Sequence, residues 1–109
     1  MSEESVRLHA QVYGRVQGVN FRYYTQLEAN RWGLTGWVSN RFDGSVEVVA
    51  EGEKADLHKL LIFLHRGSPS ARVDRVQTTW AEATGEFDPE EPLTLRRGPG
   101  NRFRVRHLR

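Results

Sequence analysis

The chain changes its apolar spacing near its start, and that change limits the folds open to it. From Val6 to Val12 apolar and polar residues alternate, which is the pattern of a strand with one buried face. From Phe21 to Trp32 apolar and small residues recur at helical spacing. Gly14 and Gly18 lie between the two and favour a short loop. The first third therefore predicts a strand, a glycine loop and a helix.

The rest of the chain predicts further strands and one more helix. The turn residues Asp43-Gly44 separate two strand-like runs, which indicates a hairpin. A later segment carries leucines three and four residues apart and ends at Gly67, which is typical of a helix. In chain order, the predicted elements after the first helix are strands at 35–40 and 45–51, a helix at 54–66, a strand at 73–83 and a short strand at 102–106.

The first six of these elements, in the order β-α-β-β-α-β, follow the split βαβ pattern of the α+β ferredoxin-like class. It predicts an antiparallel sheet with two helices on one face. With 109 residues, the chain is expected to form one domain over 1–109, because it is too short for two cores. Prolines and glycines interrupt the stretch 88–101, which is predicted to be an insertion before the last strand. The fold hosts many activities, so function has to be inferred from a site.

Composition excludes several kinds of chemistry. The chain has no cysteine, which rules out disulfides, thiolate catalysis and cysteine-ligated zinc. Its four histidines fall on different predicted elements, apart from His58 and His65, which lie about 10.5 Å apart along one helix. We therefore expect no metal site. The acids Glu47 and Glu51 are interpreted as a solvated strand face and not as an acid–base pair.

Charge and hydropathy bear on partners and location. The formal net charge of +2 supports only a mild attraction to anions. No apolar run approaches the roughly 20 residues of a membrane span, and the polar start does not resemble a signal peptide. An RNA-binding sheet would need two strands with exposed aromatic residues among basic ones, and we find no such pair of strands in the sequence. We expect a cytoplasmic protein without membrane or nucleic-acid partners.

The glycine loop has the features of an anion site. Its backbone N–H groups can point at one centre, the following helix adds its positive end, and Arg22 adds a formal charge. Many glycine loops between a strand and a helix bind nothing, however, and this loop lacks the residues of the familiar nucleotide motifs. Asn40, at the end of the second strand, either lies within reach of the loop or is simply a favourable turn residue.

Two motifs at matching spacing closely resemble the signatures of the acylphosphatases. They are Gly14-Arg-Val-Gln-Gly-Val-Asn-Phe-Arg22 and Gly33-Leu-Thr-Gly-Trp-Val-Ser-Asn40, the second followed by Asp43-Gly-Ser-Val-Glu47. The stretch from Gly67 to Val76 also looks like the family's entry to its fourth strand. The resemblance extends from about Val6 to Glu82.

The resemblance implies hydrolysis of a carboxyl–phosphate anhydride to a carboxylate and inorganic phosphate, without metal or cofactor. By position, Arg22 would be the phosphate-binding arginine and Asn40 the residue that orients the attacking water. Backbone N–H groups of the loop would bind the phosphoryl oxygens; its residues are Arg15, Val16, Gln17, Gly18 and Val19. The expected partners are a small acyl phosphate and inorganic phosphate, and a monomer is expected.

Two departures and two alternatives accompany this interpretation. Asn20 stands where the family often has glycine or another small residue, and the last third of the chain is longer than usual. A ferredoxin-like module that binds phosphate or a nucleic-acid backbone without turnover is the competing class. The acylphosphatase-like domain of carbamoyl-transferring hydrogenase maturation proteins is a second alternative, but the other domains of such proteins are not expected here.

Overall fold

A computed structural model of the chain describes residues 5–87 and the backbone of residues 103–106. Its elements are β1 Ser5–Arg15, α1 Phe21–Arg31, β2 Thr35–Asn40, β3 Val46–Glu53, α2 Lys54–Arg66, β4 Arg72–Glu82 and β5 Phe103–Arg106. This order confirms the predicted ferredoxin-like class, including both helices and the late strand. The stretch 88–101 lies outside the described residues, so its being an insertion within a single domain stays a prediction.

The five strands form one sheet in the order β4-β1-β3-β2-β5. The first four pair antiparallel, as predicted. β5 instead runs parallel to β2, with Phe103 opposite Gly36. Alternating residues alone do not determine the direction of an added strand, because parallel and antiparallel partners satisfy the same period.

The core lies between the sheet and both helices. α1 lies against β2 and β5, α2 lies against β1, β3 and β4, and the two helices contact each other. Thr25 and Ala29, on the buried stripe of α1, are small and fully buried, which lets the helix lie close to the sheet. The largest fully buried side chains are Phe21, Leu8, Leu34, Leu57, Leu60, Leu64, Val12, Val16, Val38, Val46 and Val48.

The opposite face of the sheet differs from expectation at Glu51. A solvated carboxylate was predicted there, but Glu51 is only 5% exposed. The chain beyond β4 turns back over this face, and the backbone N–H groups of Thr84 and Gly85 donate to the carboxylate at 2.8 and 3.0 Å. Arg7 donates to it from the neighbouring strand at 2.8 Å. Glu51 therefore holds the segment after β4 against the sheet.

These donors also determine the protonation of Glu51. Burial by itself raises the pKa of the carboxyl, but the N–H groups of Thr84 and Gly85 and the guanidinium of Arg7 outweigh it and hold the pKa below its ordinary value of 4.5. A carboxyl whose folded pKa is lowered contributes stability above its unfolded pKa and loses it as the pH falls through the folded pKa.

We expect Glu51→Gln to lower the free energy of unfolding at pH 7 by about 1–3 kcal/mol, because buried donors lose a charged acceptor. Urea unfolding of both proteins over a pH series measures this difference. The difference should shrink as the pH falls below 4.5, because the carboxyl of the unfolded chain is protonated there while that of the folded protein, with its lower pKa, stays ionised until the pH falls further.

Glu86→Gln is the matched control, since Glu86 also accepts from Arg7, at 2.9 Å, but is 57% exposed. An exposed pair of this kind contributes only about 0–1 kcal/mol. Equal losses in the two variants, or a Glu51→Gln loss that persists at low pH, would contradict the role given to Glu51.

Candidate active site

The topology brings the predicted site residues to one edge of the sheet. β1 and β2 are both antiparallel to β3, so their carboxyl ends face the same way. Val46 of β3 pairs with Val12 on one side and with Asn40 on the other. Asn40 is thus only two strand spacings, roughly 10 Å, from the strand that enters the glycine loop. This favours the interpretation of Asn40 as a site residue over that of a turn residue alone.

The two glycines of the first motif have different roles. Gly14 is a residue of β1, beside an irregularity in the pairing with β4, and a Cβ atom there would collide with the carbonyl oxygen of Arg72. The prediction that Gly14 bounds the loop is therefore wrong, because this glycine lets two strands approach. Gly18 is a loop residue with a φ of 75°, which favours glycine for conformational reasons.

The two valines of the loop 15–19 anchor it in the core. Val16 and Val19 are 1% and 8% exposed and belong to the core. Ser68, from the connection between α2 and β4, is buried and donates its hydroxyl to the carbonyl oxygen of Val19 at 2.7 Å. Packing and this hydrogen bond fix the loop backbone before any ligand arrives, which is the preorganisation that an oxyanion site needs.

Gln17 connects the loop to the hairpin that carries Asn40. Its side-chain Nε2 donates to the carbonyl oxygens of Arg41 at 2.7 Å and Ser45 at 2.9 Å. Both partners are acceptors, so the orientation of the amide is unambiguous. Sequence reasoning assigned only the backbone of Gln17 to the site. The only sequence signal for a role of its side chain was that Gln17 is a polar residue close to two valines, Val16 and Val19.

The entry to α1 explains the unusual residue at position 20. Asn20 caps the helix with a φ of 62° and a ψ of 25°, in the left-handed region, and its side chain makes no capping hydrogen bond. Asparagine tolerates this conformation better than most residues other than glycine. The first turn of α1 holds no acidic residue, so the positive end of the helix dipole is not neutralised there.

A cavity of about 310 Å³ opens at this edge of the sheet. Its walls contain both predicted catalytic residues, Arg22 and Asn40. Arg22 is half-buried. The side-chain oxygen Oδ1 of Asn40 is buried, and no donor among residues 5–87 reaches it. The full lining is Val16, Gly18, Asn20, Phe21, Arg22, Tyr23, Gln26 and Asn40.

The structure separates the predicted phosphate-binding residues into two groups. Val16, Gly18 and Arg22 contribute to the cavity wall. Among the other members of the loop, Arg15 has an exposed side chain, Gln17 binds the hairpin and Val19 packs in the core. If these three residues bind phosphate, they do so through backbone N–H groups, as the resemblance implied, and that part stays a prediction.

In the part of the chain that the structure describes, no helix is long and apolar enough to cross a membrane. The same residues contain no group of three or more histidine, aspartate or glutamate side chains placed to hold a metal ion. The absence of a metal and of a cofactor from the reaction remains a prediction from the resemblance.

Comparisons with known proteins, by sequence and by fold, point to one family. The sequence profile of the acylphosphatase family matches residues 8–91. The chain is 48% identical over 80 residues to an acylphosphatase of Thermococcus kodakarensis, covering 73% of this chain and 88% of that protein. It is 47% identical over 88 residues to an acylphosphatase of Paenarthrobacter aurescens, covering 81% and 94%.

A solved structure shows the same likeness. The crystal structure of an acylphosphatase from Bacillus subtilis superposes with a TM-score of 0.75 at 34% sequence identity, over 93% of this chain and 98% of that one. The matched sequence includes the glycine loop, Arg22 and Asn40, which the structure brings to one cavity. The chain therefore belongs to the acylphosphatase family.

Proposed function

We propose that this acylphosphatase hydrolyses a small acyl phosphate in the cavity beside α1. In this proposal Arg22 and the N–H groups of the loop 15–19 hold the phosphoryl group, and Asn40 orients the attacking water. The observation that carries it is the presence of Arg22 and Asn40 on the wall of one cavity, at the start of a helix.

The phosphoryl group is held by charge and by fixed donors. A guanidinium presents planar N–H groups that match two phosphate oxygens at once. The left-handed backbone at Gly18 and Asn20 belongs to the kind of loop in which successive N–H groups surround an anion. Because Val16, Val19 and Ser68 hold this loop in place, its donors need not reorganise as charge develops.

The reaction is an in-line displacement on phosphorus. The oxygen of a water molecule attacks, the bond between phosphorus and the acyl oxygen breaks, and the carboxylate leaves with the electron pair. The side-chain amide of Asn40, on the wall of the same cavity, orients this water so that an oxygen lone pair points at phosphorus. A neutral amide cannot take the proton, so a phosphoryl oxygen of the substrate receives it. A carboxylate is a good leaving group, so positioning and charge stabilisation supply the catalysis.

A phosphate-release assay tests this function against a non-catalytic phosphate-binding module. Acetyl phosphate, benzoyl phosphate, a phosphomonoester and ATP are each incubated with the protein. Turnover of the two acyl phosphates alone supports the proposal. Binding of phosphate without release from any substrate would favour the module. A cytoplasmic location and a monomeric state stay predictions, which fractionation and sedimentation measure separately.

Gln17 should act as a positioning residue for this reaction. We expect Gln17→Ala to lower kcat by about tenfold, since the variant loses both hydrogen bonds between the loop and the hairpin and lets Asn40 shift relative to the phosphate. KM should change less than kcat, because Arg22 remains. Steady-state hydrolysis of acetyl phosphate measures both constants.

Gln11→Ala provides the matched control. Gln11 also reaches the hairpin turn, where its Nε2 donates to the hydroxyl of Ser45 at 3.1 Å, but among the described residues its side chain forms no hydrogen bond with the loop 15–19. Its removal should leave kcat within about twofold. A similar loss in both variants would show that the hairpin only needs general support, and the positioning role of Gln17 would be rejected.

A further inference from the structure

We propose that Tyr23 forms the subsite for the acyl group and gives this protein a preference for planar, aromatic acyl phosphates. The inference rests on the proposed function, since it concerns the half of the substrate that Arg22 and Asn40 do not bind. Among the described residues of the cavity wall, Tyr23 is the one large apolar side chain that is exposed, at 55%, whereas Val16 and Phe21 are both 1% exposed.

The geometry of the displacement indicates where the acyl group lies relative to Tyr23. The attacking water and the leaving carboxylate lie on opposite sides of phosphorus. In the proposed function the water is bound at Asn40, which comes from the end of β2. The leaving acyl group then extends away from the end of β2, and the rest of the wall comes from the loop and from α1, where Tyr23 and Gln26 lie one turn apart.

The ring of Tyr23 is supported and yet accessible. Tyr24 meets it in an edge-to-face contact, with ring centres 5.4 Å apart and planes at 76°. Tyr24 is itself partly buried and packs against the core, so this contact restrains Tyr23. A restrained aromatic side chain with a large exposed surface can pack against the flat face of an aryl group without a large loss of conformational entropy.

The cavity has room for such a group. Its volume of about 310 Å³ is at the lower end of small-molecule sites, which span roughly 300–1,000 Å³, and exceeds what a phosphoryl group alone would occupy. Its lining combines a few polar groups around Arg22 and Asn40 with an aromatic side chain at the exposed end. This arrangement fits a substrate with a charged end and a flat apolar end.

The test is the ratio of kcat/KM for benzoyl phosphate to that for acetyl phosphate. Tyr23→Ala should lower this ratio by about tenfold, because the aryl group loses its partner while the methyl group of acetyl phosphate has little to lose. Tyr23→Phe keeps the ring and should keep the ratio within about twofold. Leu27→Ala is the matched control: Leu27 lies one turn further along α1, is 47% exposed and is not on the cavity wall.

Three results would overturn the inference. An unchanged ratio in Tyr23→Ala means that the acyl group lies elsewhere, and a ratio lowered equally by Leu27→Ala means that the surface of α1 acts without a specific subsite. If the unsubstituted protein hydrolyses neither substrate, the proposed function fails and the inference fails with it. That result is distinguishable because it appears before any variant is made.

Discussion

Replacing Arg22 by alanine is expected to abolish both the hydrolysis of acyl phosphates and the competitive inhibition by inorganic phosphate. A positioned arginine on a transferring phosphoryl group contributes about 10³–10⁵-fold to kcat in other enzymes. Here we expect kcat/KM to fall by about 10³-fold or more, because the same guanidinium is proposed to bind the phosphoryl group in both the ground state and the transition state. Steady-state kinetics with acetyl phosphate, with phosphate as inhibitor, measures both effects.

Arg22→Lys separates charge from geometry. A lysine retains the positive charge but cannot place two parallel N–H groups on one phosphoryl group. Compared with Arg22→Ala, Arg22→Lys should regain part of the phosphate binding but little of the turnover. Arg31→Ala is the charge-matched control, since Arg31 is an exposed residue at the other end of α1. Phosphate inhibition that survives in Arg22→Ala would refute the binding role.

Asn40→Ala should separate binding from chemistry. Removing one preorganised polar group costs about 10²–10³-fold in kcat in enzymes that stabilise an oxyanion, and we expect a loss of at least 10²-fold here. Inhibition by phosphate should stay near its original strength, because the guanidinium of Arg22 and the loop donors are retained. The comparison of kcat with the phosphate inhibition constant in this variant decides between a role in water positioning and one in binding.

Asn40→Asp is a second variant, in which the side chain keeps nearly the shape of asparagine but carries a negative charge. A carboxylate on the cavity wall would repel the phosphoryl group, so this variant should lose phosphate inhibition as well as turnover. Near-normal hydrolysis of acetyl or benzoyl phosphate by Asn40→Ala would reject the water-positioning proposal. Urea unfolding of both variants shows whether each protein is folded when it is assayed.

Most of the fold could be predicted from the local pattern. The leucines of α2 and the alternation in β1 each report a single buried face, and burial of that face is what makes the element stable. The predicted bounds 35–40 and 54–66 coincide with β2 and α2. β5 was found as a strand, but its parallel pairing with β2 was not predicted, because strand direction is a property of the whole sheet.

The errors fall where two distant segments touch. Glu51 alternates with buried residues and was interpreted as solvated, yet the chain beyond β4 covers it, and no local spacing carries that information. Gly14 was interpreted as a loop residue because glycine tolerates many conformations. It is needed in β1 because the backbone of β4 lies too close for a side chain.

By itself the sequence determined the candidate residues of the site. The spacing of Gly18, Arg22 and Asn40 specifies a loop, a charge at the start of a helix and an amide at the end of a strand, and motif resemblance names the family. Only the tertiary structure decided that these groups share one cavity. Arg22 and Asn40 lie 18 positions apart, and they reach the wall of one cavity because β3 pairs with β1 and β2 at once, through Val46. The hydrogen bonds of Gln17 to the hairpin likewise depend on the pairing of β1 with β3, and that of Ser68 to Val19 depends on the pairing of β1 with β4, because these backbone carbonyls become partners only when the sheet brings distant segments together.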